Sequence, residues 1–263
     1  MNPLLIALIA WAAMAVVMVV LYLLQRATKD AGAVDVGWAG GVGALAVFYA
    51  VVGDGDTTRK LLLGALAGLW SLRLAGFLLK DRVLAGSEDG RYRMLREKWG
   101  HRTQRNLFIF FQVQAFWAVL FSVPFLPVAY HDQPVFGGFD LAAIAVWVVA
   151  LAGETIADRQ LARFRANPQN RGKTCRAGLW RYSRHPNYFF EWVHWFTYVF
   201  LAIGSPYVWL TLAGPVVMLL FLYKVTGIPY TEKQALLSRG DDYRRYQETT
   251  SAFVPWFPKK RAE

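Results

Sequence analysis

The stretch "SRHPNYFFEW" combines a cation, an imidazole, an amide and a carboxylate at the start of an apolar segment. Its proline is typical of the first turn of a helix, so we expect a helix to begin there. That helix would place Asn187 and Glu191, four residues apart, on one face. Arg184 and His185 come just before it, at a helix N-terminus suited to binding an anion. The alternative is structural: Glu191 pairs with Arg184 or Arg73 and holds helices together.

A second polar group precedes this stretch in the sequence. Glu154 and Asp158 lie four residues apart at the end of an apolar segment, and the following loop carries Arg165, Arg171 and Lys173. This mixture suits a ligand with phosphates and ribose, because Arg and Lys bind phosphates and carboxylates bind ribose hydroxyls. A solvated loop would explain the basic residues equally well, but it explains Glu154 poorly.

Two further ionisable residues lie inside apolar segments, Asp35 in "VDVGW" and Arg73 in "WSLRLAG". A charge within a membrane is costly, so each is a candidate for a functional role. Two structural alternatives stay open. Either the two residues are partners of one another, or Asp35 lies near enough to the membrane surface to be tolerated there.

The glycine-rich stretch "GWAGGVGALA" follows Asp35. It has the look of a dinucleotide-binding loop, but no strand precedes it and no βαβ unit surrounds it. Gly37 and Gly41 form a GxxxG pair inside an apolar segment, which is typical of closely packed membrane helices. We therefore predict a packing role for both glycines.

These residues need a scaffold, and the composition indicates a membrane protein. The chain has 263 residues, of which 56% are hydrophobic and 18% charged, fewer charges than a soluble domain of this size usually carries. Crossing a bilayer takes about 20 apolar residues per helix. The sequence predicts an all-α, polytopic integral membrane protein, a single membrane-embedded domain over 1–263. Its seven predicted transmembrane helices cover approximately 3–25, 34–53, 61–79, 106–130, 139–157, 187–204 and 206–223.

The net charge of +11 is distributed unevenly. Most of the Lys and Arg residues follow the first, third, fifth and seventh apolar segments, and positive loops mark the cytoplasmic side of a membrane. We therefore expect the N-terminus outside and the C-terminus in the cytoplasm. Topology and anionic lipid explain the basic charge, so we expect no nucleic-acid partner. Cys175 is the only cysteine, and no Cys/His cluster has metal-ligand spacing, so we expect no metal.

The motifs also carry a resemblance to a known family. "GLWRYSRHPNYFFEW", with the upstream "ETIAD" and the downstream "TEKQALLSRGDDYRRYQETTSAFVPWFP", resembles the steroid 5-alpha-reductase-like family of membrane reductases, in particular a bacterial member. The resemblance is strongest over about 150–258. It implies about seven membrane helices, NADPH bound from the cytoplasmic side, and an inner-membrane location. The implied substrate is a lipid that enters from the bilayer, such as a 3-oxo-4-ene steroid.

The resemblance also implies roles for individual residues. A hydride would add to the β-carbon of the enone while an acid stabilises the carbonyl oxygen, and Asp35 falls near the position of the family's acid. That acid is a Glu paired with a Tyr, whereas here Trp70 falls near the expected tyrosine position. Asn187 and Glu191 match the nicotinamide side. The remaining residues expected to hold the cofactor are Arg73, Glu154, Asp158, Arg165, Arg171, Lys173, Arg184, His185, Glu232, Tyr243 and Tyr246.

Two other functions remain open at this point. Isoprenylcysteine and phospholipid methyltransferases carry a similar RHPxY stretch, which allows an S-adenosylmethionine-dependent methyltransferase on the same scaffold. Because S-adenosylmethionine has no phosphates, the many cations of the loop favour NADPH. A non-catalytic membrane protein, such as a transporter or an assembly factor, is the third possibility. Transporters often contain internal repeats, and none is evident here.

Overall fold

A computed structural model describes residues 3–84, 86, 88–132, 136–225 and 227–259. All the regular elements in these ranges are helical, as the sequence predicts. The structure supports an integral membrane protein, because six of its helical stretches are long and apolar enough to cross a membrane. These are Leu4–Thr28, Ala33–Val52, Thr57–Val83, Gly90–Ala129, Gly138–Ala166 and Val208–Arg239.

The α-helices of the described residues are connected by short 3-10 and π-helical segments. They are α1 (Pro3–Thr28), α2 (Ala33–Val52), α3 (Thr57–Leu78), α4 (Gly90–Trp99), α5 (Thr103–Ser122), α6 (Leu126–Ala129), α7 (Gly138–Ala166), α8 (Pro186–His194), α9 (Phe196–Leu201), α10 (Ala213–Leu220), α11 (Ile228–Arg239) and α12 (Asp241–Thr249). The polar part of the chain after the last predicted membrane helix contains α11 and α12.

The apolar segment predicted as one membrane helix over 187–204 is divided in two. The helix begins at Pro186, as predicted, but α8 ends at His194 and α9 begins at Phe196. At the junction the backbone N–H of Trp195 donates to the carbonyl of Trp192, three residues back instead of four. Neither piece is long enough to span a bilayer, so this segment is not among the six spans.

The chain divides into two compact units. Unit 1 comprises Met1–Phe136 and Leu201–Ala213, and unit 2 comprises Gly137–Phe200 and Gly214–Glu263. The sequence gives no hint of this division, because no linker-like stretch separates the two parts.

In unit 1 the glycines of α2 bring helices close together. A Cβ at Gly37 would collide with Leu21 of α1, and a Cβ at Gly41 with Met14 of the same helix. The predicted packing role of these two glycines is therefore confirmed. Gly43 meets α3 in the same way, because a Cβ there would overlap Ser71. The hydroxyl of Ser71 donates to the carbonyl of Ala39 over 2.6 Å and closes the α2–α3 contact.

In unit 2, α7 packs against α8, and α11 packs against α12. Gly153 of α7 lies directly beneath the ring of Phe190, and this ring leaves no room for a Cβ at position 153. Between α11 and α12, Ala235 is buried together with Tyr243 and Tyr246, whose ring centroids are 5.8 Å apart. The two tyrosines share one face of α12, as their i, i+3 spacing predicts.

Candidate functional site

Asp35, at the start of α2, lies at the centre of a charged cluster in unit 1. Its Oδ2 accepts hydrogen bonds from Arg82 Nη1 and Arg91 Nη2, and its Oδ1 accepts from the hydroxyl of Tyr92, each over 2.8 Å. Asp89 completes this Asp35 cluster, because it accepts from the backbone N–H of Arg91 and lies 2.9 Å from Arg82 Nη1.

The partners of Asp35 come from two features of the segment that follows α3, a helix N-cap and a π-helical extension. Asp89 is the N-cap of α4 and fixes the first turn of that helix, which carries Arg91 and Tyr92. Arg82 comes from the π-helical segment Leu79–Val83 that extends α3. Tyr92 is 2% exposed, so its hydroxyl is held against Asp35 away from solvent.

The hydrogen bonds of the Asp35 carboxyl group change the role expected for this residue. In this arrangement the Asp35 carboxyl accepts three hydrogen bonds, so the proton-bearing group next to it is the phenol of Tyr92. Asp35 does have a tyrosine partner in the structure, Tyr92 of α4. The expectation placed Trp70 near that position, and Trp70 is a fully buried residue of α3. The sequence comparison missed Tyr92 because 57 residues separate it from Asp35.

Arg73 belongs to a different unit from the other residues expected to hold the cofactor. It lies on α3 in unit 1, whereas Glu154, Asp158 and the others lie in unit 2. Its predicted role in cofactor binding remains a prediction.

A cationic groove of about 420 Å³ opens at the C-terminal end of α7. It is lined by three of the predicted cations, Arg165, Arg171 and Lys173, and by a fourth that the sequence analysis missed, Arg239 of α11. Neither Asp nor Glu is among its lining residues, all of which lie in the described part of the chain. Four cations with no carboxylate make the groove electrostatically suited to an anion with several charges.

Local turns build this cationic groove. The side chain of Asn167 accepts from the backbone N–H of Gln169 and begins a 3-10 turn, while Asn170 Nδ2 donates to the carbonyl of Phe164 over 2.8 Å. Gly172 follows with a φ of 76°, a left-handed conformation that favours glycine. The chain thus reverses after α7 and places the two cations around Gly172 opposite Arg165.

Cys175 lies in the wall of the cationic groove and is 3% exposed. Burial raises the pKa of its thiol, although the charges of Arg165 and Arg239 act in the opposite direction. The residue is therefore a neutral thiol at neutral pH, and its position makes it a reporter for ligands in the groove.

The polar residues of α7 and α8 meet in the same unit. Asn187 Nδ2 donates to Asp158 Oδ1 over 3.2 Å, which joins two of the predicted cofactor residues across the helix pair. Glu154 and Glu191, one on each helix, are both buried. The structure thus places a set of amide and carboxylate groups on this helix pair, as the spacing within each helix predicts.

The side chain of Arg184 is hydrogen-bonded to other residues of the protein. Its Nε donates to Glu232 Oε1 over 2.6 Å, and its Nη1 donates to the carbonyls of Gln247 and Thr250 over 3.1 and 2.6 Å. The Glu232 carboxylate also accepts from Gln247 Nε2 over 2.8 Å. These contacts fasten the segment before α8 to α11 and the end of α12.

His185, Tyr243 and Tyr246 extend this fastening. His185 Nε2 lies 3.3 Å from Glu232 Oε1, and burial lowers the pKa of the imidazole, so the neutral ring donates from Nε2 to the carboxylate. The hydroxyl of Tyr243 also reaches Glu232 Oε1, over 3.5 Å. The hydroxyl of Tyr246 donates to the carbonyls of Trp180 and Ser183. The sequence predicts that His185, Tyr243 and Tyr246 hold the cofactor. In the structure their contacts support the backbone around the "RHPNY" stretch.

A buried polar pair that the sequence analysis did not single out lies at the break between α8 and α9. His194 Nε2 and the hydroxyl of Tyr198 are 2.8 Å apart, and both side chains are buried. Glu191, one turn before His194, is close enough to Tyr198 to interact with it electrostatically. The i, i+4 spacing of His194 and Tyr198 was the available signal.

The structure shows no group of three or more His, Cys, Asp or Glu side chains able to hold a metal ion within the residues it describes.

Comparison with known proteins gives one family. The family model described as "Protein of unknown function (DUF1295)" matches residues 21–250. An uncharacterized protein of Schizosaccharomyces pombe is 26% identical over 243 residues, covering 80% of this chain and 67% of that protein. No solved structure matches the chain significantly.

Proposed function

We propose a function for this chain, which belongs to the DUF1295 family: NADPH-dependent reduction of the carbon–carbon double bond of an enone lipid, such as a 3-oxo-4-ene steroid. The motif "RHPNY" and its surroundings support the proposal through their resemblance to the steroid 5-alpha-reductase-like family. The helices long enough to cross a membrane support a substrate that arrives from the bilayer.

The cationic groove is the observation that carries the proposal. NADPH bears a pyrophosphate and a 2′-phosphate, so it requires several cations in one place. Arg165, Arg171, Lys173 and Arg239 meet this requirement around a cavity of about 420 Å³. Arg is well suited to bidentate contacts with phosphate, and Lys adds a mobile point charge. S-adenosylmethionine carries no phosphate, so a groove of this charge does not favour the methyltransferase alternative.

The polar residues on α7 and α8 would bind the other half of the cofactor. Asp158 and Asn187 are already hydrogen-bonded, and they offer acceptors and donors for ribose hydroxyls and an amide. Glu191 lies one turn further along α8. Bound NADPH would supply the hydride, and these side chains would hold and orient it.

The Asp35 cluster would provide the electrostatic half of the reaction. When hydride adds to the β-carbon of an enone, negative charge develops on the carbonyl oxygen, and a positioned hydrogen-bond donor lowers the barrier. In our proposal Tyr92 is that donor: its single O–H, which donates to Asp35 over 2.8 Å in this structure, turns to the carbonyl oxygen of the bound substrate. Arg82 and Arg91 compensate the charge of Asp35 and fix its orientation.

Cofactor binding to the purified full-length chain in detergent tests the proposal. NADPH, NADH and S-adenosylmethionine would be titrated side by side by calorimetry. We expect NADPH to bind most tightly, and NADH to bind more weakly because it lacks the 2′-phosphate. Preference for S-adenosylmethionine, or failure of all three to bind, would overturn the proposal. With NADPH binding established, consumption of NADPH in the presence of 3-oxo-4-ene steroids tests the reaction itself.

A further inference from the structure

Residues 251–259 form a C-terminal strap outside the six spans, and the strap is fastened to the residues that precede α8. It has no regular secondary structure, yet hydrogen bonds fix its path along unit 2, and three of them join it to the residues before α8. They are Arg184 N–H to the Ser251 carbonyl over 2.8 Å, Ser183 Oγ to the Phe253 carbonyl over 2.7 Å, and Trp256 N–H to the Tyr182 carbonyl over 2.9 Å. The position of each side chain on the C-terminal strap is therefore defined.

One side chain of the C-terminal strap points into the protein. Phe253 is 3% exposed, and its ring packs against Phe189, Trp192 and Tyr223 at centroid distances of 5.7, 5.7 and 5.4 Å. This single inward residue anchors the strap in unit 2.

Large apolar side chains of the same strap point outward. Val254 is 51% exposed, Trp256 70% and Phe257 75%. The rings of Trp256 and Phe257 lie 6.5 Å apart and form one continuous apolar surface. Placing two such rings in water is unfavourable, so an exposed apolar patch of this kind marks a surface that another apolar phase covers.

The surroundings of the C-terminal strap identify that phase as lipid. Phe253 packs on Tyr223, which is itself 41% exposed and belongs to the membrane span Val208–Arg239. The inner side of the strap therefore packs against a membrane span at a residue that is itself partly exposed. Two exposed cations accompany the aromatic pair: Arg181 directly precedes Tyr182, whose carbonyl accepts from Trp256, and Lys259 follows Phe257 by two residues. Aromatic side chains flanked by cations are typical of segments that lie in the membrane–water interface.

We infer that the C-terminal strap is a membrane-interface anchor, with Trp256 and Phe257 inserted at the headgroup boundary and Arg181 and Lys259 against the phosphates of anionic lipids. The positive charge is complementary to that of anionic headgroups. This inference does not depend on the proposed reductase activity.

Site-specific fluorescence in vesicles tests the anchor. A polarity-sensitive dye would be attached to Phe257→Cys in a Cys175→Ser background, and the full-length chain reconstituted into phosphatidylcholine vesicles with or without phosphatidylglycerol. Glu248→Cys, on the exposed face of α12, serves as the control for water, and Val51→Cys, 75% exposed in a membrane span, as the control for lipid. Quenching by aqueous iodide and by lipids labelled near the headgroup would be measured for each site.

We expect the dye at position 257 to be quenched by the labelled lipids, and to be several-fold less sensitive to iodide than the dye at position 248. Phosphatidylglycerol should strengthen this protection, and Arg181→Gln with Lys259→Gln should remove the increase. Iodide quenching equal to that at position 248 would overturn the anchor. Protection from both quenchers would also overturn it, because a second protein copy would then cover the patch. A phosphatidylglycerol effect that survives the two glutamines would overturn the role of the cations.

Discussion

Arg184 Nε and Glu232 Oε1 are 2.6 Å apart, although 48 residues separate them in the sequence. Their side chains are only 11% and 16% exposed, and Arg184 contacts two backbone carbonyls as well. The pair therefore determines where the segment before α8 lies relative to α11 and α12.

The first prediction concerns this ion pair. Glu232→Gln leaves the guanidinium of Arg184 without its counter-charge, so we expect a loss of about 1.5 to 3 kcal/mol in the free energy of unfolding, the usual contribution of a charged hydrogen bond. The melting temperature in detergent should fall by several degrees. Glu248→Gln, at an exposed position on α12, should leave the melting temperature unchanged. Equal melting temperatures for both variants and the parent protein would contradict the structural role of Glu232.

The second prediction concerns the cationic groove. Arg171→Gln with Lys173→Gln removes two of its four cations, so we expect the Kd for NADPH to rise at least about tenfold, since charged hydrogen bonds contribute roughly 1.5 to 3 kcal/mol each. Calorimetric titration measures the change. Lys233→Gln with Arg245→Gln removes the same charge from exposed positions outside the groove and should alter the Kd little. Similar losses in both double variants would indicate a general charge effect and no site.

The third prediction concerns Tyr92. Tyr92→Phe removes the hydroxyl that donates to Asp35 and that we propose for the carbonyl oxygen. Removing one such donor costs on the order of 10² to 10³ in kcat. NADPH consumption with a 3-oxo-4-ene steroid should fall by that factor, while the Kd for NADPH stays the same. Tyr22→Phe, another tyrosine of unit 1, serves as the matched control. An active Tyr92→Phe enzyme would remove Tyr92 from the mechanism.

The fourth prediction compares two glycines of one helix. A Cβ at Gly43 would overlap Ser71, whereas nothing lies within 4 Å of a Cβ at Gly40. Gly43→Ala should therefore destabilise the protein by about 1 to 3 kcal/mol through overpacking. Gly40→Ala should be neutral or slightly stabilising, because alanine favours a helix. Melting temperatures in detergent distinguish the two, and an equal response would show that α2 and α3 are not in close contact.

The fifth prediction concerns pH. Burial raises the pKa of the Cys175 thiol, and only the thiolate reacts with alkylating reagents. Labelling should thus be slow at neutral pH and should accelerate at a higher pH than for an unfolded cysteine, whose pKa is about 8.5. Because Cys175 lines the cationic groove, saturating NADPH should slow the labelling at every pH. The unfolded chain provides the reference pH profile of labelling. A labelling rate that NADPH does not change would show that the nucleotide binds elsewhere.

Several features could be predicted because their signals are local. Pro186 marks the first residue of α8, since proline is favoured at a helix start and disfavours helix just before it. Gly37 and Gly41 predict a close contact because their spacing puts both on one helix face. Arg171 and Lys173 lie two residues apart in one loop, so their common location in the groove needed no knowledge of the tertiary structure.

Other features depend on distant parts of the chain. Arg239 reaches the groove from α11, and Tyr92 reaches Asp35 from the short helix α4, which lies between two predicted membrane helices. Neither contact leaves a periodic signal. The break at Trp195 also lacks the usual local signal in the sequence, because no Pro or Gly lies beside it.

The bonds from Arg184 and Ser183 to the last part of the chain also bear on how the protein is made. The carbonyl of Thr250 that Arg184 binds lies 66 residues further along the sequence. At a synthesis rate of about 5 to 20 residues per second, the ribosome needs roughly 3 to 13 seconds to reach it. During that interval the "RHPNY" stretch has emerged without the groups that fasten it. Its final structure therefore forms late in biogenesis, after most of the membrane spans have been synthesised.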